Sequence, residues 1–128
     1  MILVDSSVWI DHFRHGESAL VGLLDTGQVL AHPFVIGELA LGNLRQRAQV
    51  LALLGDLPQA LVATEAEMLH FIGQHSLFGM GIGYVDAHLL AGARLTPDTS
   101  IWTRDRRLRA AAETLSLAAS MAGEASPD

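Results

Sequence analysis

An α/β fold, with a parallel sheet carrying helices on both faces, is the architecture to expect of this chain. Three observations lead there. Short apolar and β-branched runs alternate with helical segments from the first residues to about residue 112. Half of the 128 residues are hydrophobic, enough for one continuous core, and only 17% are charged, which argues against disorder. No internal repeat or linker divides the chain, so a single domain over residues 1–122 is expected, with 123–128 as a disordered tail.

Ile2-Leu3-Val4 reads as a buried strand. Asp5-Ser6-Ser7 then supplies helix-capping chemistry for a helix over about Ser7 to Phe13, broken at His15-Gly16. A second short helix spans about Glu17 to Leu24 and stops near Gly27. Val29-Leu30-Ala31 is the next strand, and Pro33 suits the first turn of a helix running to about Leu41. Asn43 is placed to cap a helix carrying Leu44, Ala48, Leu51 and Leu54 at helical spacing, and Gly55 to Pro58 is a turn. Leu61-Val62-Ala63 is a third strand candidate. Thr64 with Glu67 three residues on forms a capping box for a helix to about His75. Leu77 to Gly83 is a Gly-rich loop, Tyr84 to Leu95 a helix, Ser100 to Thr103 a strand, and Arg106 to Ala112 the final helix.

Composition removes several kinds of chemistry. There is no cysteine, which excludes disulfides, thiolate metal sites and cysteine nucleophiles. All eight basic residues are Arg, and the missing lysine excludes Schiff-base enzymes and P-loop NTPases. The net charge of −6 makes a poor general binder of nucleic acid, yet Arg104, Arg106, Arg107 and Arg109 gather one local basic edge. Met1 to Asp5 lacks the basic and long apolar regions of a signal peptide, and no apolar stretch reaches the roughly 20 residues that span a bilayer. A cytoplasmic protein without membrane contact is expected.

Four acids carry the chemistry. Asp5 lies at the carboxyl end of the first strand and Asp105 after the last, where open α/β sheets bind ligands. Glu38 and Asp86 lie on helices whose neighbours at three and four positions are largely apolar, where an unpaired charge is costly. Acids that converge repel one another unless a cation sits among them, and Mg²⁺ or Mn²⁺ suits oxygen ligands. Each acid also has an ordinary reading. Asp5 alone is most often a helix cap, Glu38 an ion-pair partner of an Arg, Asp86 a cap or ion-pair partner, and Asp105 a turn residue or cap.

The sequence around these acids resembles a known family. Met1-Ile2-Leu3-Val4-Asp5-Ser6-Ser7-Val8-Trp9-Ile10-Asp11 is similar to the opening of VapC toxins, which are PIN-domain ribonucleases. Gly37-Glu38-Leu39, Gly81 to Leu90 around Asp86, and Ile101 to Leu108 around Asp105 resemble the three acidic motifs that follow, in order, over Met1 to about Ala112. The resemblance implies a PIN-like parallel sheet and Mg²⁺- or Mn²⁺-dependent RNA cleavage by a metal-activated water. It implies metal ligation or water activation by Asp5, Glu38 and Asp86, with Asp105 in support. It also implies a homodimer and a VapB-like antitoxin that blocks the site. Ser6, Ser7 and Thr103 are candidates to orient a ligating carboxylate. Arg104, Arg106 and Arg107 are candidates for RNA phosphates.

The six histidines show no HExxH pattern and read as structural or surface residues. Gly79 to Gly83 lacks the dinucleotide-binding spacing and reads as a loop that lets the next helix pack closely. Trp9, Ile10 and Phe13 form an apolar stripe for the core, any exposed part of which would suit an antitoxin segment. Two rival functions follow from the same residues. One is a catalytically weak PIN-like module that binds RNA or protein. The other is an aspartyl-nucleophile phosphatase, disfavoured because Ser7 stands where an Asp-x-Asp pair needs its second acid.

Overall fold

The computed structural model describes residues 1–121, and the expected tail at 123–128 lies outside them. Three strands and seven helices alternate: β1 (Ile2–Val4), α1 (Ser6–His15), α2 (Ser18–Asp25), β2 (Val29–Leu30), α3 (Pro33–Ala40), α4 (Arg47–Asp56), α5 (Glu65–Gln74), α6 (Tyr84–Leu95), β3 (Ser100–Trp102) and α7 (Arg106–Thr114). Local chemistry explains the boundaries. Pro33 opens α3 with its missing N–H where none is needed, and His32 Nδ1 accepts the Phe34 N–H at 3.0 Å. Thr64 and Glu67 exchange both hydrogen bonds of a capping box at α5.

The sheet is parallel throughout, in the order β2-β1-β3, with Leu3 opposite Leu30 and Ile101. Consecutive residues of every strand are buried (Leu3-Val4, Val29-Leu30, Ile101-Trp102), so both sheet faces are covered. The path explains how. From β1 the chain steps one way to β2, then back across β1 to β3, and right-handed crossovers put those connections on opposite faces. Helices α1, α3 and α7 begin where strands end, and α6 returns the chain to the start of β3, so its N-terminus lies at the same edge. Gly92 on α6 permits a close approach: a Cβ there would stand 3.0 Å from the Leu61 carbonyl and 3.2 Å from the His32 ring.

Two local expectations need correction. Leu61-Val62-Ala63 is not a strand. The pairing comes two residues earlier, where Gln59 bridges Ala31, and the Leu61 N–H is taken by the Thr96 hydroxyl. Leu61 and Val62 are exposed, so their apolar look reflects no ladder. Asn43 does not cap α4; Gln46, in the left-handed region at φ 52°, precedes it, and Leu44 lies outside the helix. The opposite sheet edge carries a pairing absent from the expectation. Ala118 bridges Ile101, with Ile101 N–H donating to Leu117 O and Ala119 N–H to Ile101 O.

Candidate functional site

Asp5 follows β1 and Thr103 follows β3, adjacent strands whose connections leave in opposite directions. That is the crevice position where open α/β sheets bind ligands. Asp5 is almost wholly buried and stands at the N-cap of α1, yet its side chain makes no capping bond. Its carboxylate instead collects hydroxyls. Oδ2 accepts from Thr103 Oγ1 at 2.7 Å and Ser7 Oγ at 2.8 Å, while Oδ1 has only Ser6 Oγ at 3.5 Å. The ordinary reading of Asp5 as a helix cap therefore does not hold.

The direction of these bonds is fixed by the backbone. Arg104 N–H donates to Ser7 Oγ and Asp105 N–H to Thr103 Oγ1, both at 3.0 Å. Each hydroxyl thus has an amide proton on its oxygen and its own proton free to point at Asp5 Oδ2. One carboxylate oxygen is pinned by two donors anchored in the β3–α7 turn. The other, Oδ1, keeps its lone pairs largely unused.

Ser6 ties the next acid in. Its hydroxyl lies 3.3 Å from Glu38 Oε1 as well as beside Asp5 Oδ1, so one proton serves two carboxylates. Burial raises the Glu38 carboxyl above its ordinary value, the charges of Asp5 and Asp86 raise it further, and the Ser6 hydroxyl opposes them. Glu38 is nonetheless an exposed residue, with Leu41 and Gly42 beside it exposed too. Of the apolar neighbours expected around it, Val35 is buried and Phe34 partly buried, while Leu41 faces solvent.

Asp86 lies in the first turn of α6, where its Oδ2 accepts the Gly83 N–H at 3.3 Å. Burial raises its carboxyl above the ordinary value, Asp5 and Asp105 raise it too, and the Gly83 N–H opposes them. Asp105 is the N-cap of α7: Oδ1 accepts from Arg107 N–H and Leu108 N–H, both at 3.0 Å. Its ordinary reading as a cap holds, and its charge still reaches Asp86. Among the described residues, no group of three or more His, Asp or Glu side chains is drawn together tightly enough to hold an ion by itself.

Residues 2–114 match the family model of the PIN domain. The chain belongs to the PIN-domain family. Over 111 residues it is also 50% identical to Ribonuclease VapC32 of Mycobacterium tuberculosis, found in two strains, covering 87% of this chain and 90% of that protein. This makes it a PIN-domain protein of the VapC type.

The remaining candidates divide. In this PIN domain the Arg104 guanidinium is held by Asp11 at 2.6 Å and Glu17 at 2.5 Å and lies 5.7 Å from the Trp102 ring centre. It ties α1 to the strand end rather than reaching outward, and Asp11 and Glu17 are partners that spacing alone did not suggest. Arg107 is exposed, with Nη1 3.4 Å from the Gly81 carbonyl. His32 and His88 are buried. Burial and the neighbouring His88 push His32 down to about 4, and burial lowers His88. Both are therefore neutral packing groups at pH 7. Trp9 is buried and stacks on Phe13, whose ring, like Ile10, is partly exposed. A cavity of about 580 Å³ between α5 and α6 contains none of the four acids. A second, of about 200 Å³, lies beside Gly83 and Tyr84 at the start of α6. Glu38 and Asp105 are exposed, Asp86 is partly buried and Asp5 is buried. Among the described residues, no helix is long and apolar enough to cross a membrane.

Proposed function

We propose that this PIN-domain protein is a cytoplasmic, Mg²⁺- or Mn²⁺-dependent endoribonuclease, the toxin of a toxin–antitoxin pair. The observation that carries the reading is Asp5. A buried acid at a strand end, released from capping and pinned at one oxygen by two hydroxyls, is prepared to present its other oxygen. Two further carboxyls, Glu38 and Asp86, are raised partly by its charge. The similarity to a protein named as a ribonuclease supports the substrate class.

The donor set fits a hard divalent cation. It consists of carboxylate oxygens with no sulfur, and Mg²⁺ typically takes one or two carboxylates plus waters and substrate phosphates. A looser acidic edge is compatible with that demand. Asp5, Glu38 and Asp86 would hold the ion, and Asp105 would add negative charge beside Asp86. When bound, the ion supplies Lewis-acid activation of water and charge stabilisation at the phosphate. Ser7 and Thr103 keep Asp5 in one orientation, and Ser6 spaces Asp5 from Glu38. Arg106 and Arg107 bind RNA phosphates. Products would carry 5′-phosphate and 3′-hydroxyl ends. A VapB-like antitoxin would cover the acids and lay an amphipathic segment on the exposed edge of Ile10 and Phe13. The active form would be a homodimer.

A second reading, an RNA- or protein-binding module with little turnover, is favoured by the absence of a tight ligand group among the described residues. One experiment separates the two. Antitoxin-free protein is mixed with total RNA in Mg²⁺, in Mn²⁺ and in EDTA, with Asp5→Asn alongside, and cut ends are mapped. Discrete cuts with 5′-phosphate ends, lost in EDTA and in the variant, are expected. RNA retention without cuts in either metal would refute the enzyme and leave the binding module.

A further inference from the structure

The loop before α6 and the first residue of that helix leave two large rings in solvent near Asp86. Phe78 is 68% exposed and Tyr84 50% exposed, and both line the cavity of about 200 Å³ whose apolar floor includes Leu77, Ile82 and Ala87. Single exposed apolar residues are ordinary. Two aromatic rings flanking one small cavity are less so. The space is below the roughly 300–1,000 Å³ of clefts that take drug-sized ligands, so it suits one flat ring system.

The cavity also adjoins the site. Gly83 lines it, and the Gly83 N–H is the donor to Asp86 Oδ2. On its other side the loop is braced by a cation. Gly81, at φ 77°, lets Arg107 lie against the backbone: a Cβ there would stand 2.8 Å from Arg107 Nη1. The loop that walls the cavity thus touches an acid through Gly83 and a guanidinium through Gly81. A flat group on a chain that carries negative charge finds an aromatic wall and a cation there.

We infer that this cavity is a subsite for one unpaired nucleobase of the RNA, stacked on Phe78 and Tyr84, with Arg107 at the adjoining phosphate. The inference rests on the ribonuclease reading for its substrate. Aromatic faces accept any base, so the subsite selects single-stranded RNA rather than a sequence. A duplex offers no base to it without unpairing.

The test uses the full chain carrying Asp86→Asn, which blocks cutting, and a mixed-sequence single-stranded oligoribonucleotide containing 2-aminopurine. Stacking is expected to quench the fluorophore on binding. Phe78→Leu and Tyr84→Leu keep an apolar side chain but lose the ring face. Each is expected to weaken binding about 5- to 150-fold and to abolish the quench, whereas Phe78→Trp retains both. That range corresponds to about 1–3 kcal/mol of stacking per base. In the cutting enzyme the same Leu variants should raise KM with kcat little changed. Unaltered affinity and quench in both Leu variants, with melting temperatures unchanged, would overturn the inference. So would unaltered RNA binding combined with lost antitoxin binding, which would assign the rings to a protein partner. Quenching by a protein that never cuts RNA would instead defeat the enzyme reading and leave the subsite standing.

Discussion

Replacing Thr103 by Val tests the claim that a buried hydroxyl holds Asp5. The side chains have nearly the same shape, and the position is 2% exposed, so the change is chiefly chemical. It removes the 2.7 Å donor to Asp5 Oδ2 and the acceptor of the Asp105 N–H. A hydrogen bond to a charged group contributes about 1.5–3 kcal/mol, and the neutral one about 0.5–1.5 kcal/mol. A combined loss of about 2–4 kcal/mol is expected. At about 2.1 cal/mol/K of unfolding entropy per residue, a domain of this size loses about 4 °C of Tm per kcal/mol, so the fall is about 8–16 °C. Thr103→Ser keeps both bonds and gives up one methyl, worth about 1 kcal/mol or 4 °C.

Calorimetry on wild type, Thr103→Val, Asp5→Asn and the double variant closes a cycle. If the hydroxyl acts through the Asp5 charge, Thr103→Val costs less in the Asn background, with a coupling of about 1 kcal/mol or more. RNA cleavage, assayed well below the lowered Tm, should fall about 10- to 100-fold, the usual effect of removing a partner that orients a ligand. A Thr103→Val cost below about 0.5 kcal/mol, or an equal cost in both backgrounds, would refute the account of the site.

Other perturbations probe the charges. Glu38 and Asp86 have folded-state values above their ordinary ones, so ionising them costs stability. That cost is absent below the ordinary carboxylate range and grows as pH rises through the raised values. Glu38→Gln and Asp86→Asn should therefore raise Tm slightly at pH 7, the gain kept small by solvent screening, with no gain near pH 3. A loss at pH 7, or a gain that persists at pH 3, would contradict the cost assigned to burial and to the neighbouring acids. Mg²⁺ or Mn²⁺ at about 100 times Kd should add about 2.7 kcal/mol of stability in a melting assay, and none in Asp5→Asn/Asp86→Asn. An equal rise in the double variant would move the ion elsewhere. Arg104→Ala, which breaks the pairs with Asp11 and Glu17, should cost about 1–2 kcal/mol with little change in RNA affinity. The reverse pattern would restore Arg104 as a phosphate contact.

Much of the fold is legible in the sequence because local signals agree with the global one. Pro33, the Thr64–Glu67 box and the buried runs at Ile2, Val29 and Ser100 each mark an element that forms. The failures come where tertiary contacts decide. Leu61 and Val62 look like a strand, but the ladder beside β2 accepts Gln59, and no local pattern encodes that register. Ala118 pairs with Ile101 from a stretch of small residues with no strand signature. The positions of Asp5, Glu38, Asp86 and Asp105 along the chain were readable. Their environments were not. Asp5 is held away from capping in part by the Thr103 hydroxyl, 98 residues away in sequence.

That difference in environment makes the acidic edge asymmetric. Asp5 is buried, and its one fully engaged oxygen is supplied from α1 and the end of β3. Asp105 spends an oxygen on two helix amides. Glu38 and Asp86 receive one long hydrogen bond each, 3.3 Å in both cases, and carry the repulsion. A fold selected for stability alone would gain by neutralising either of them. Their retention beside a pinned Asp5 makes sense if the missing positive charge arrives from outside. Under the proposed metal-dependent reading the rigid and the loose acids would divide the work: Asp5 would fix where a cation lands, and Glu38 and Asp86 would supply the electrostatic demand that makes landing favourable.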